Sequence, residues 1–159
     1  MLFRSLAATA LESLGHHVDE SFPAALADTE AGRRFGSLWS TNMGAGIARV
    51  AATLGRDVGP DDVEAMNWVQ AEFARTVSGV DYALALAANH AYRREVQQWW
   101  ADGWDLLVTP TLAEPPTRLG EFDNDPTAPM APLVRSASYV AFTPAFNRSE
   151  GHTSELQSH

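Results

Sequence analysis

The sequence predicts an α/β protein that is predominantly helical over this stretch. Three observations carry that expectation. Apolar residues recur at helical spacing across most of positions 3–101. A glycine-terminated helix passes at Gly15 into a short extended segment, an order typical of layered α/β proteins. The run Trp104-Asp105-Leu106-Leu107-Val108 is compact, apolar and of strand length, and it opens a proline-punctuated loop.

Taken in order, Phe3, Leu6, Ala7, Ala10 and Leu14 fall on one face of a 3.6-residue period, with Gly15 as the cap. His16-His17-Val18-Asp19-Glu20 then reads as a short strand or extended exit, closed by Pro23. From Thr29 to Leu54 the pattern is helical, with Phe35, Leu38, Trp39, Ile47, Val50, Ala51 and Leu54 as its apolar members. Gly44 and Gly46 weaken the middle, so two shorter helices are an alternative. Gly59-Pro60-Asp61-Asp62 is a helix-start signal, because proline suits a first turn and carboxylates complement the dipole there. Met66, Val69, Phe73 and Val77 are the expected buried stripe of that helix. Ser78-Gly79 interrupts it, and a further helix runs to about Ala101 with Leu84, Ala88, Tyr92, Val96, Trp99 and Trp100 as its apolar face. Pro115-Pro116, Gly120, Pro126, Pro129 and Pro132 punctuate a long loop, of the kind that packs over something or lines a site. Leu133–Ala141 reads as a short helix ending in Phe142-Thr143-Pro144-Ala145-Phe146-Asn147, and there is no internal repeat.

Composition excludes several classes. At 159 residues, 45% apolar and with five Trp, the chain has the make-up of one globular domain. A formal charge of −9 disfavours both a nucleic-acid partner and an anionic membrane surface. Without Cys there is no thiol nucleophile, disulfide or zinc–thiolate site. Ser5, Thr9 and Glu12 interrupt the N-terminal apolar residues, which excludes a signal peptide there, and the default location is cytoplasmic. All eleven basic residues are Arg. The absence of Lys removes any mechanism that uses a lysine amine as base or nucleophile.

The final segment, Arg148 to His159, has no helical or strand period and one large apolar residue, Leu156. It resembles the translation of a common DNA-sequencing adapter, with Gly151 the one departure, so residues 148–159 are set apart from the 1–147 domain. The alternative is a polar natural tail.

Three segments, in order, resemble the amidase signature family. Leu11-Glu12-Ser13-Leu14-Gly15-His16-His17-Val18 is similar to that family's helix-to-strand passage after the catalytic core. Trp104 to Pro116, with Gly120, resembles its strand-and-proline-loop motif. Phe142 to Asn147 resembles the opening of a segment that normally continues through Gly-Gln-Pro into another strand. The intervening helices look nearest to bacterial members acting on non-peptide amides. The resemblance implies part of a larger fold, a mixed sheet covered by helices, and hydrolysis of a small-molecule carboxylic amide without a cofactor or metal. It implies a serine nucleophile, a second serine in a cis peptide and a neutral lysine, with glycine-loop N–H groups holding the oxyanion. This chain has no Lys and no Ser-Ser pair, so those residues are expected upstream of it and the chain itself is expected to be inactive. What the resemblance leaves here is a share of the substrate wall, with Phe142, Phe146 and Asn147 as candidates; the plainer reading makes both Phe core and Asn147 a turn cap.

Other constellations are weaker. His16-His17 as a metal pair fails because neighbours on a strand face opposite ways. His90 reads as a surface histidine and Trp99-Trp100-Trp104 as core. From a different class comes one alternative, an independent, non-catalytic helical binding module with a proline-rich arm.

Overall fold

The computed structural model describes residues 2–149, with side chains for residues 5–147. Among these residues lie six α-helices: α1 (Leu2–Ser13), α2 (Glu30–Leu54), α3 (Ala65–Ala74), α4 (Gly79–Ala101), α5 (Ala131–Tyr139) and α6 (Pro144–Ser149). Short 3-10 turns at Ala24–Ala27 and Pro60–Asp62 complete the regular structure. The helical prediction holds, and the described residues contain no strand.

The end of α1 follows from one residue without a Cβ. Gly15 adopts φ +91°, its N–H donates to the Glu12 carbonyl at 3.0 Å, and the His16 N–H donates to Leu11 at 3.2 Å. This pair of bonds satisfies carbonyls that the helix would otherwise leave open. The segment beyond, expected as a short strand or an extended exit, forms no strand; His17 Nε2 lies 2.9 Å from the Asp19 carboxylate at the surface.

α2 is a single helix of 25 residues, not two. A Cβ on Gly44 would come within 3.0 Å of the Ala74 Cβ, so the glycine is what lets α3 cross α2 closely. The propensity cost in the middle of α2 is thereby offset by packing. The expected helix start at Gly59-Pro60 is a separate 3-10 turn, after which Val63 is extended and α3 begins at Ala65. There the Asp62 carboxylate accepts from the Gly59 N–H at 2.9 Å and from both ends of the Arg56 guanidinium at 2.9 and 2.7 Å. The predicted stripe of α3 is also corrected. Its buried residues are Gln70 and Ala71, whereas Phe73 and Val69 stay exposed; Ala71 and Ala74 are what face the close crossing at Gly44.

A reciprocal cap opens α4: the Asp81 N–H donates to Ser78 Oγ at 3.1 Å, and the Ser78 N–H donates to the Asp81 carboxylate at 3.1 Å. Tyr92, Val96 and Trp99, at spacings of four and three, are the buried residues of α4, while Leu84 on the same predicted face is exposed. Ala31 of α2 joins Tyr92 and Val96 in a small core, with Ala25, Leu26 and Trp100 against it. Beside it the Trp99 indole N–H donates to Ser21 Oγ at 3.0 Å. Its ring stacks on Trp104, 4.9 Å between centroids at 2°, and meets Trp100 edge-on at 5.1 Å.

That stack is what holds Trp104–Val108. The run expected as a buried strand has no ladder partner among the described residues, and Leu106 and Val108 point into solvent. A strand requires a neighbour to accept its backbone hydrogen bonds. α6 runs through Ser149, and the rest of the segment set apart as a tail lies outside the described residues.

Candidate functional site

A concavity lies between α2 and α4, a groove of about 1190 Å³. Each wall follows from helical periodicity. α4 contributes Tyr82, Leu86, Asn89, His90 and Arg93, which recur every three or four residues. α2 contributes its face from Phe35 to Leu54, and Val58 and Val63 from the connection to α3 close one end. Leu38 and Val58 are buried, whereas Trp39, Val50 and Leu54 remain half exposed along the walls. The Phe35 and Trp39 rings lie 6.0 Å apart at 55°. Polar side chains are interspersed along it, Arg49, Asn89, His90 and Arg93 among them; the Asn42 amide is partly committed, donating to the Leu38 carbonyl at 3.0 Å.

Of the three expected substrate residues, Asn147 reaches this groove, carried there by α6 as it packs on α4. Phe142 and Phe146 are half buried and do not line it. Histidine 90, read from sequence as a surface residue, is exposed at the groove's edge.

A second constellation sits on the proline loop. Arg135 of α5 donates through two nitrogens to Glu114 at 3.0 and 2.9 Å, and through Nε to Glu121 at 2.6 Å. Phe122 and Tyr139 flank the guanidinium, with ring centroids 5.9 and 5.8 Å from its carbon. The hydrogen bonds to Glu114 and then Glu121 raise the Arg135 pKa further above its already high value. The Ala113 N–H adds a backbone bond to the Tyr139 carbonyl at 2.9 Å. This cluster pins the loop to α5. It was missed in the sequence, where its members stand 14 and 21 residues apart without any periodic signal.

What these arrangements can do chemically is bind and position. The Ser78 hydroxyl is spent on Asp81 at 2.6 Å, Ser21 accepts from Trp99, and the hydroxyls of Ser13, Ser136 and Ser138 donate to helix carbonyls. None of these stands beside a base with a lysine behind it. Among the described residues no three His, Asp or Glu converge as ligands, and no helix is long and apolar enough to cross a membrane.

No protein-family model matches the chain. It is 31% identical over 148 residues to the 6-aminohexanoate-cyclic-dimer hydrolase of Paenarthrobacter ureafaciens, and 32% identical over 148 residues to the enzyme of the same name from Pseudomonas sp. (strain NK87). Each alignment takes in 90% of this chain and 30% of the relative. Among solved structures, 6-aminohexanoate cyclic dimer hydrolase superimposes with a TM-score of 0.84, and the same enzyme complexed with substrate with 0.82; both cover 90% of this chain and 31% of theirs at 31% identity. The chain therefore spans about a third of the length of the hydrolases it matches.

Proposed function

We propose that this chain is the C-terminal part of an amide hydrolase of the amidase signature type, acting in its complete form on a small, non-peptide, cyclic or linear amide in the cytoplasm. The observation that carries the reading is a similarity that extends over 90% of the chain at 31% identity, in a matched fold, to hydrolases of a cyclic amide. The amidase-like segments at Leu11–Val18, Trp104–Pro116 and Phe142–Asn147 support the same family independently.

In this reading the bond cleaved is a carboxylic amide C–N bond, and the catalytic serine, the cis-peptide serine and the lysine lie upstream, in the part of the parent fold that this chain does not span. Amide carbons are poor electrophiles, so hydrolysis demands both an activated hydroxyl and donors for the oxyanion. A chain without Lys cannot supply that base. Its contribution is structural: α2 to α4 form a helical layer, and the exposed run Trp104–Val108 is an edge that pairs into the parent's mixed sheet. We keep Phe142, Phe146 and Asn147 as candidates for a share of the substrate wall; the α2–α4 groove that Asn147 also borders is not that wall.

The test uses the purified chain and a chimera. The 159-residue chain alone is expected to release no linear product from the 6-aminohexanoate cyclic dimer. A Paenarthrobacter hydrolase carrying residues 5–147 in place of its matching region is expected to fold and hydrolyse an amide. Turnover by the isolated chain, or a folded chimera inert towards cyclic, aryl and aliphatic amides alike, would refute the proposal.

A further inference from the structure

Among the described residues nothing fills the α2–α4 groove. Its lining on α2 runs from Phe35 to Leu54, about 28 Å of helix axis at 1.5 Å per residue. That is long for a small ligand and suits a polypeptide segment laid along two helices. The surface of the whole chain points the same way. It exposes 11711 Å² at 17.2 kDa, where a compact monomer of that mass exposes roughly 7,800 Å². Setting aside roughly 1,600 Å², the most that ten residues could expose at the scaling for an unfolded chain, still leaves about 2,300 Å² in excess. On one partner alone, that exceeds the roughly 800 Å² per side of an ordinary stable complex and falls in the range of obligate association.

We infer that the α2–α4 groove seats an apolar segment of the remaining two-thirds of the hydrolase fold, and that this contact is what holds the helical layer to the catalytic core. The inference rests on the function proposed above and names its internal partner. Two other occupants fit less well. Residues 148–159 carry one large apolar side chain, Leu156, too little to cover Trp39, Val50 and Leu54. A second copy related by a two-fold axis would set concave groove against concave groove and bring Arg49 and Arg93 of the two copies towards each other.

The experiment pairs the full chain with the Paenarthrobacter hydrolase truncated to remove its matching region, co-expressed and captured through a tag on the truncated hydrolase. The wild-type chain is expected to co-purify one to one. Val50→Asp, placed in the groove at a half-exposed position, is expected to reduce capture at least tenfold; Val134→Asp, on the exposed side of α5 away from the groove, is expected to leave it unchanged. Sedimentation of the chain alone supplies the second measurement. Absence of pairing, pairing indifferent to Val50→Asp, or a homodimer that Val50→Asp dissolves would each overturn the assignment. Groove-dependent pairing without amide hydrolysis would leave the docking surface standing and count instead against the proposed function. Hydrolysis that survives Val50→Asp would do the reverse.

Discussion

Heating the isolated chain tests how much of its stability resides in contacts that it cannot make alone. The perturbation is simply the lack of cover over about 2,300 Å² of surface beyond that of a compact monomer. With roughly 57% of it apolar, at about 25 cal/mol per Å², the burial forgone is of order 30 kcal/mol, an upper figure because denatured chains are themselves partly collapsed. Whole domains are stable by only about 5–15 kcal/mol, so even a third of that deficit removes the margin. The core that remains is small: Ala31, Tyr92 and Val96, with Trp99 stacked beside it. The expectation is a chain with most of its helix and little fixed packing. Far-UV circular dichroism should fall gradually on heating, and the near-UV signal of the Trp99–Trp104 stack should be weak. A hydrophobic dye such as ANS should bind at 25 °C. Calorimetry should show no peak near the roughly 110 kcal/mol that a cooperative domain of this length absorbs. A sharp transition of that size, with calorimetric and van't Hoff enthalpies equal and no dye binding, would refute the reasoning.

Two further expectations concern local structure. The Arg56 side chain, and then the Gly59 N–H, hold the Asp62 carboxyl well below the usual carboxylate range. Because the folded-state value is lowered, the turn at Pro60–Asp62 is favoured above the ordinary Asp value near 3.8 and loses that support only as pH falls through the lower value. In an NMR titration the Gly59 amide should therefore stay in place down to about pH 3 and should already be displaced in Asp62→Asn; a midpoint at or above about 3.9 would count against the pairing. Replacing Arg135 by Lys keeps the charge but removes the fork that spans Glu114 and Glu121, so trypsin should cut after the exposed Arg118 severalfold faster than in the wild type. Unchanged cleavage would show that the loop is held by other contacts.

The legibility of the fold followed the range of the interactions. Gly15 as a cap, Ser78 as the interruption before α4, the end near Ala101 and the short helix near Leu133 are all decided by neighbours within one helical turn, and each lies close to where it was expected. The face of α3 was misread because hydrophobicity ranked Val69 and Phe73 above Gln70 and Ala71, while Ala71 and Ala74 are what face the close crossing at Gly44. The run Trp104–Val108 has a strand's composition but no partner to pair with among these residues. Of the candidate substrate residues only Asn147 meets the groove, and nothing in the linear order distinguishes it from Phe142 or Phe146.

By itself the sequence determined the helical periodicity, the caps, the acidic balance and the chemistry ruled out by eleven Arg without one Lys, since each is a property of single residues or of near neighbours. Only the tertiary structure decided that α2 and α4, packed together at Ala31, Tyr92 and Val96, leave a groove between them, that Trp104 stacks on Trp99, and that one arginine ties the proline loop to α5. Those are pairings across many residues of chain. Their energies depend on distance and burial in three dimensions, which no local pattern encodes.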